Sequence, residues 1–411
     1  MELDKYSKYI KQFINKIKLN QNFNINENNI FIKNILNISK NINNLEIKIP
    51  SYDIEIIKKI HTPYNYPLLY DIICKSNPKI KNFKEFLIYY TLNQTNIDIE
   101  NLIKDVQFDK NRNELKNIFY NSYQSIDIIQ EIESNDLNHI LIKTEYYRIS
   151  LYYYDIVNID DDIIKIIKII CLIREINKLY KINDNDFYNV IIFFSNKKKY
   201  LFNERKIITP MNINSGATII ENYATVWRKE ELEKVLIHEL LHYIGIDHKL
   251  FFNDNDKINK LFNVTKNKIN ESYNETLAGI INICWKSQKH NININELYLL
   301  ELKFLLFQTA KIIKYFDGKC AEDLFTIKIS QTSWMLSYII FKMILFFNIN
   351  DIINFIESIN LKINSDDDIN KYIELLEKKI KNKNYIIQLN DIFNINYNSK
   401  YLNKTMRMTV I

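Results

Sequence analysis

The run His238-Glu239-Leu240-Leu241-His242 sits inside the apolar stretch 235–244, and that combination restricts what this part of the chain can become. Residues four apart lie one above the other on a helix, so both imidazoles share one face. Two imidazoles and a carboxylate buried on an otherwise apolar helix are costly without a partner. A single metal ion is such a partner: both histidines can reach it, while Glu239 faces a water on the same ion.

Composition sets the frame around that helix. A chain of 411 residues, 47% hydrophobic, can bury a large core, and two or three packed subdomains are expected. The abundance of Asn, Ile, Lys and Tyr is the imprint of an AT-rich genome and says little about function. Lys and Arg number 55 against 49 Asp and Glu, with no dense basic stripe, which argues against nucleic-acid binding. The first residues are charged and lack the apolar core of a signal peptide, so a protein that is not secreted is expected. Cys74, Cys171, Cys284 and Cys320 form no Cys-x-x-Cys pair, which speaks against a disulfide framework and fits a reducing, cytoplasmic setting. The apolar run 334–347 is broken by Lys342 and is shorter than the ~20 residues a membrane span needs, so it is expected to be a buried helix.

Gly and Pro are scarce, at 4 and 5, and no internal repeat is evident. Residues 1–136 read as mostly helical, from Tyr9, Ile10, Phe13, Ile14 and Ile17 and from Phe86, Leu87, Tyr90, Leu102 and Ile103; the lone His61 is expected to be structural. The segment 140–154, rich in β-branched and aromatic residues, predicts one long strand or a hairpin. Asp160, Asp161 and Asp162 then open an apolar helix to about Leu179. Strands are expected at 190–194, at 199–202 and, as a strand or hairpin, at 217–226, directly before the histidine helix. Helical patterns over 296–315, 333–347, 351–359 and 369–380 complete the chain.

That order of elements resembles the amino-terminal half of zincin metallopeptidases, in which a twisted sheet lies above the active-site helix and its edge strand faces the substrate. The resemblance covers about residues 137–290 and implies a small mixed sheet plus motif helix over 137–249; with the helical patterns at 1–136 and 250–411, the expected fold is α+β. The segments 214–231 and 271–278 are also similar to an uncharacterised group of zinc-peptidase-like proteins of large DNA viruses.

A catalytic zinc has three protein ligands and an open position, so His238 and His242 leave one ligand to be found. Glu275, in Asn274-Glu275-Thr-Leu-Ala278, resembles the Asn-Glu-x-x-Ala segment of gluzincins, where a second helix brings a glutamate to the metal. It follows His242 by 33 residues (275 − 242), enough for a connection and a return helix. His248, after Gly245, instead matches the longer metzincin pattern, although the stretch Ser333-Trp-Met335-Leu-Ser-Tyr338 matches the methionine turn of that group only loosely. Glu275 is the preferred third ligand. The resemblance implies a zinc-dependent endopeptidase with Zn2+ on His238, His242 and Glu275, and with Glu239 as general base. Tyr338, or else His290, would stabilise the oxyanion, and a peptide would bind along the edge strand near 216–226. Glu271 and Asp247 are weighed only as supports for the ligand histidines, and Glu221 as an anchor for a substrate amine. The alternative is a catalytically idle zincin fold serving as a structural or host-interaction protein of a virus particle.

Overall fold

The computed structural model describes residues 5–57, 126–154, 159–201, 206–252, 256–264, 267–395 and 399–411. His61 and the helical patterns around Phe86 and Leu102 lie outside them. The architecture is α+β: one open, mixed six-stranded sheet with helices on both faces.

The strands are β1 (Ile54–Ile57), β2 (Leu137–Lys143), β3 (Tyr147–Tyr153), β4 (Tyr188–Phe193), β5 (Gly216–Ile219) and β6 (Tyr223–Val226), in the spatial order β1-β2-β3-β4-β6-β5. The segment 140–154 resolves into the β2–β3 hairpin, with Ile140 opposite Leu151 and Ile142 opposite Ile149. β3 and β4 run parallel, a pairing that needs a crossover, and the apolar helix Ile159–Tyr180 supplies it. The segment 217–226 becomes the β5–β6 hairpin, which leaves β5 on the edge of the sheet. β1 is a strand that the sequence reading did not assign. Conversely, of the strand expected at 199–202, the described residues 199–201 form none, Tyr200 making an isolated bridge to Thr405, and residue 202 lies outside the described residues.

The histidine helix, Leu232–Tyr243, packs against β5, β6 and the crossover helix. All its residues except His242 are buried, the polar Glu233, Lys234, His238 and Glu239 included, so those side chains need partners inside the protein. Its end is fixed by Gly245 at φ 75°: the Gly245 N–H donates to His242 O and the Ile246 N–H to Leu241 O, the paired bonds that close a helix through a left-handed residue. The chain thereby turns back at Asp247. A second long helix, Ile269–His290, lies across the first, and Asn274 Nδ2 donates to His238 O at 2.9 Å.

The run 334–347, buried from Met335 onward, is not one regular helix: Leu336–Phe341 is a π-helix, followed by the α-helix Lys342–Phe347. Among the described residues no single helix is long and apolar enough to cross a membrane. One continuous hydrophobic core contains residues from the first helices (Ile10, Ile35), the sheet (Leu151, Ile192), the histidine helix (Leu236) and the final segment (Val410), so the three sequence regions share a core. A smaller cluster, with Ile128, Ile132, Phe193 and Trp227, covers the opposite face of the sheet.

The two long helices are also joined by charge. Glu233, on the histidine helix, is paired with Lys286 and Lys289 on the second, and these cations hold its pKa down to about 2 against the desolvation cost of burial. Because the folded-state pKa is depressed, the stabilisation is complete above the unfolded value near 4.5 and disappears as pH falls through about 2. Glu233→Gln is expected to lower the unfolding free energy by about 3 kcal/mol at pH 7. Urea titrations should show the two proteins converging as pH drops from about 4.5 toward 2; a pH-independent difference would contradict the pairing.

Candidate metal centre

His238 and His242 project from adjacent turns with ring centroids 4.8 Å apart and planes at 83°. What fixes them is the chemistry behind each ring. His242 Nδ1 lies 2.9 Å from Asp247 Oδ2, and Asn270 Nδ2 donates to that same oxygen at 2.9 Å. His238 Nδ1 lies 3.0 Å from Glu275 Oε2, an ion-pair distance without the alignment of a hydrogen bond. With both Nδ1 atoms facing carboxylates, both Nε2 atoms point the other way, to Glu271: its Oε2 lies 3.3 Å from His242 Nε2 and 3.5 Å from His238 Nε2. The three residues present one donor atom each, all within 4.8 Å of one another.

Glu275, the third ligand preferred from the sequence, is not one of the three converging donors; Glu271 is. Glu275 is fully buried behind His238, where the ammonium groups of Lys234 and Lys342 grip its carboxylate, and it does not enter the cluster of converging donors. Glu271, one turn earlier, has the front position. The sequence shows both as equivalents: Asn270-Glu271 is a second Asn-Glu pair, four residues before Asn274-Glu275 and thus on the same helix face, which does not choose between them. Asp247 stands where a support for His242 was considered. His248 is exposed in the turn His248–Phe252, outside the cluster. His290 ends the second helix, about 28 Å along its axis from Glu271, and burial together with Lys286 and Lys289 lowers its pKa to about 4. Glu221 is exposed in the turn between β5 and β6.

Glu239 reaches toward the edge strand and, with His238, lines the cleft beside the cluster. Thr218 Oγ1 donates to its Oε2 at 2.8 Å, and burial raises the pKa of the carboxyl. Its place depends on Gly216: a Cβ there would sit 2.3 Å from Glu239 Oε1. Tyr338 comes from the π-helix, a distortion common at functional sites, with its ring 6.0 Å from that of His238. Burial, reinforced by the charges of Glu271, Glu239 and Glu275, pushes its hydroxyl well above the ordinary value, so it stays protonated and able to donate.

Burial works against charge on Glu275, but Lys234 and Lys342 prevail and hold it well below the usual carboxylate range. The cost appears on Lys234, whose pKa burial brings down to about 8. Glu271 is likewise held below its ordinary value by the two histidines, whose own values are raised despite burial by the carboxylates around them. Two imidazoles and a carboxylate, with each imidazole backed by a carboxylate, are the donor set that zinc takes in catalytic sites. The residues fit that ion, and a small cleft lined by His238, Glu239 and Tyr338 lies beside His238.

The chain is similar to an uncharacterised protein of Acanthamoeba polyphaga mimivirus, 24% identical over 339 aligned residues, which cover 69% of this chain and 82% of that relative. No family model and no solved structure matches. The comparison thus gives distant kinship with a viral protein.

Gly216→Ala is expected to leave the fold intact while moving the Glu239 carboxylate off Thr218. A crystal structure of the variant reads this directly; an unchanged Glu239 rotamer would show that the close approach is not limiting.

Proposed function

We propose that the protein is a zinc-dependent peptidase, with His238, His242 and Glu271 holding the metal and Glu239 as general base. The observation that carries the reading is the orientation of the two imidazoles: Asp247 and Glu275 face both Nδ1 atoms, and both Nε2 atoms converge on a third donor. A surface ion pair needs no such backing. Zinc, when bound, supplies a Lewis acid for the scissile carbonyl and a water acidified toward neutrality.

The chain's own residues account for the remaining chemistry. Glu239, with its pKa raised by burial, accepts the proton of the attacking water and delivers it to the departing amine. Tyr338, kept protonated, donates to the developing oxyanion. The free edge of β5 offers main-chain groups to an extended peptide, and Gly216 begins that strand directly beside Glu239. An internal position on an extended chain suits an endopeptidase. The kinship with a mimivirus protein supports a viral setting.

Zinc per chain, measured by elemental mass spectrometry, tests the ligand set. Near-stoichiometric metal is expected in the wild type and in His248→Gln, and loss is expected in Glu271→Gln. Glu275→Gln should retain the site but bind more weakly, by about 10- to 100-fold, as for loss of a group supporting a ligand. Metal loss in His248→Gln, or full binding in Glu271→Gln, would overturn the assignment. Glu239→Gln should keep its zinc and lose peptide hydrolysis by about 10²- to 10⁴-fold; zinc in the wild type without hydrolysis of any peptide in a library would favour an idle structural role.

A further inference from the structure

Two buried lysines grip Glu275 behind His238, and they reach it by different routes. Lys234 comes from the histidine helix itself, one turn before His238, and meets both carboxylate oxygens. Lys342 comes from 67 positions away in sequence and divides a fully buried ammonium among three acceptors: Glu275 Oε1 at 3.2 Å, Glu301 Oε1 at 3.5 Å and the Met408 carbonyl at 3.0 Å. An ammonium has three N–H bonds, so these acceptors account for all of them.

Several features bring Lys342 to this place. It follows Tyr338 by four residues, across the junction between the π-helix and the α-helix Lys342–Phe347, so one stretch of chain carries both the candidate oxyanion donor and a group behind Glu275. Its stem passes the second long helix at Gly279, where a Cβ would lie 3.0 Å from Lys342 Cε and 2.8 Å from Phe346 Cζ. Gly279 stands one turn after Glu275 on the same face, inside a 22-residue helix where glycine is disfavoured relative to alanine; the room it leaves for Lys342 is a packing reason for it. The third acceptor is delivered by the buried segment 406–411. Glu231 Oε1 accepts the N–H groups of Met408 and Thr409 at 2.8 and 2.6 Å, and Glu301 Oε2 accepts Thr409 Oγ1 and the Val410 N–H at 2.9 and 3.1 Å, which sets the Met408 carbonyl against Lys342.

We propose that Lys342 is a positioning residue of the metal centre: it fixes Glu275 behind His238, and through Glu275 the imidazole that offers Nε2 to the metal. This inference rests on the metal-binding part of the reading above. The contact between Glu275 and His238 Nδ1 lacks the alignment of a hydrogen bond, so it does not by itself hold the carboxylate in place; the cations on the other side of Glu275 do. Without Lys342 the carboxylate keeps one ammonium in place of two and is free to shift toward Lys234. The role differs from catalysis, since Lys342 touches neither the converging donors nor Glu239.

Zinc affinity, read by competition with a chelating dye, tests this without turnover. Lys342→Met is expected to weaken zinc by about 10- to 100-fold, as for loss of a group that orients a ligand. Glu275→Gln should fall in the same range, and the double variant should bind no more weakly than the weaker single one, because both act on one carboxylate. A double variant whose loss is the product of the two single losses would overturn the route through Glu275, and is what a merely structural lysine would give. Gly279→Ala, which pushes the stem of Lys342 but keeps its charge, should weaken zinc severalfold in the wild type and have no further effect on Lys342→Met; it keeps the test open if the methionine variant does not fold. Unchanged affinity in both Lys342→Met and Gly279→Ala would overturn the role of Lys342 while leaving the metal site standing. Failure of the wild type to bind zinc would overturn the metal-centre reading and this inference with it.

Discussion

The structure depends on a contact between two buried helices that exchange charge across their interface. Leu232–Tyr243 contributes Glu233, Lys234, His238 and His242, while Ile269–His290 contributes Glu271, Glu275, Lys286 and Lys289, and every member of the set has an opposite charge or an imidazole before it. Removing one partner from such a set leaves an uncompensated charge in the core, which is far more costly than never burying the pair. The arrangement therefore fixes the register of the two helices. It also aims both imidazoles, because Glu275 and Asp247 reach the rings from behind.

Connections run outward from this contact. Lys342, next to the π-helix that presents Tyr338, joins Glu275 to Glu301 and to the Met408 carbonyl. Glu231, at the start of the histidine helix, pairs with Lys199 and accepts two backbone N–H groups from the final segment. The segment 406–411 is consequently built into the same electrostatic network as the candidate ligands. On the other side, Gly216 and Thr218 of β5 hold Glu239, so the sheet edge and the candidate base are positioned together.

Much of this was legible in the sequence where local pattern carried it. The spacing His238-x-x-x-His242 in an apolar run marked a buried helix with two imidazoles on one face, and the β-branched and aromatic runs marked β2 to β6. The choice between Glu271 and Glu275 was not legible from pattern. Residues at i and i+4 share a helix face, and which of them fronts the Nε2 atoms depends on how far the second helix slides along the first. Lys234 and Lys342 decide that by capturing Glu275, and neither lysine has a distinguishing local context. The final segment was invisible for a related reason: its partners Glu231, Glu301 and Lys342 are scattered through the chain, and no periodicity announces a long-range hydrogen bond. Tyr338 was one of 28 tyrosines, marked only by a loose match to a methionine turn that the π-helix does not form.

The central claim is that a metal ion binds between His238, His242 and Glu271. Crystals grown with zinc, with diffraction recorded on both sides of the zinc absorption edge, address it most directly. The account predicts one strong anomalous peak in bonding contact with both Nε2 atoms and the Glu271 carboxylate, with Glu275 still held by Lys234 and Lys342. A peak coordinated by Glu275 or His248 in place of Glu271, or no peak between the two helices, would contradict it.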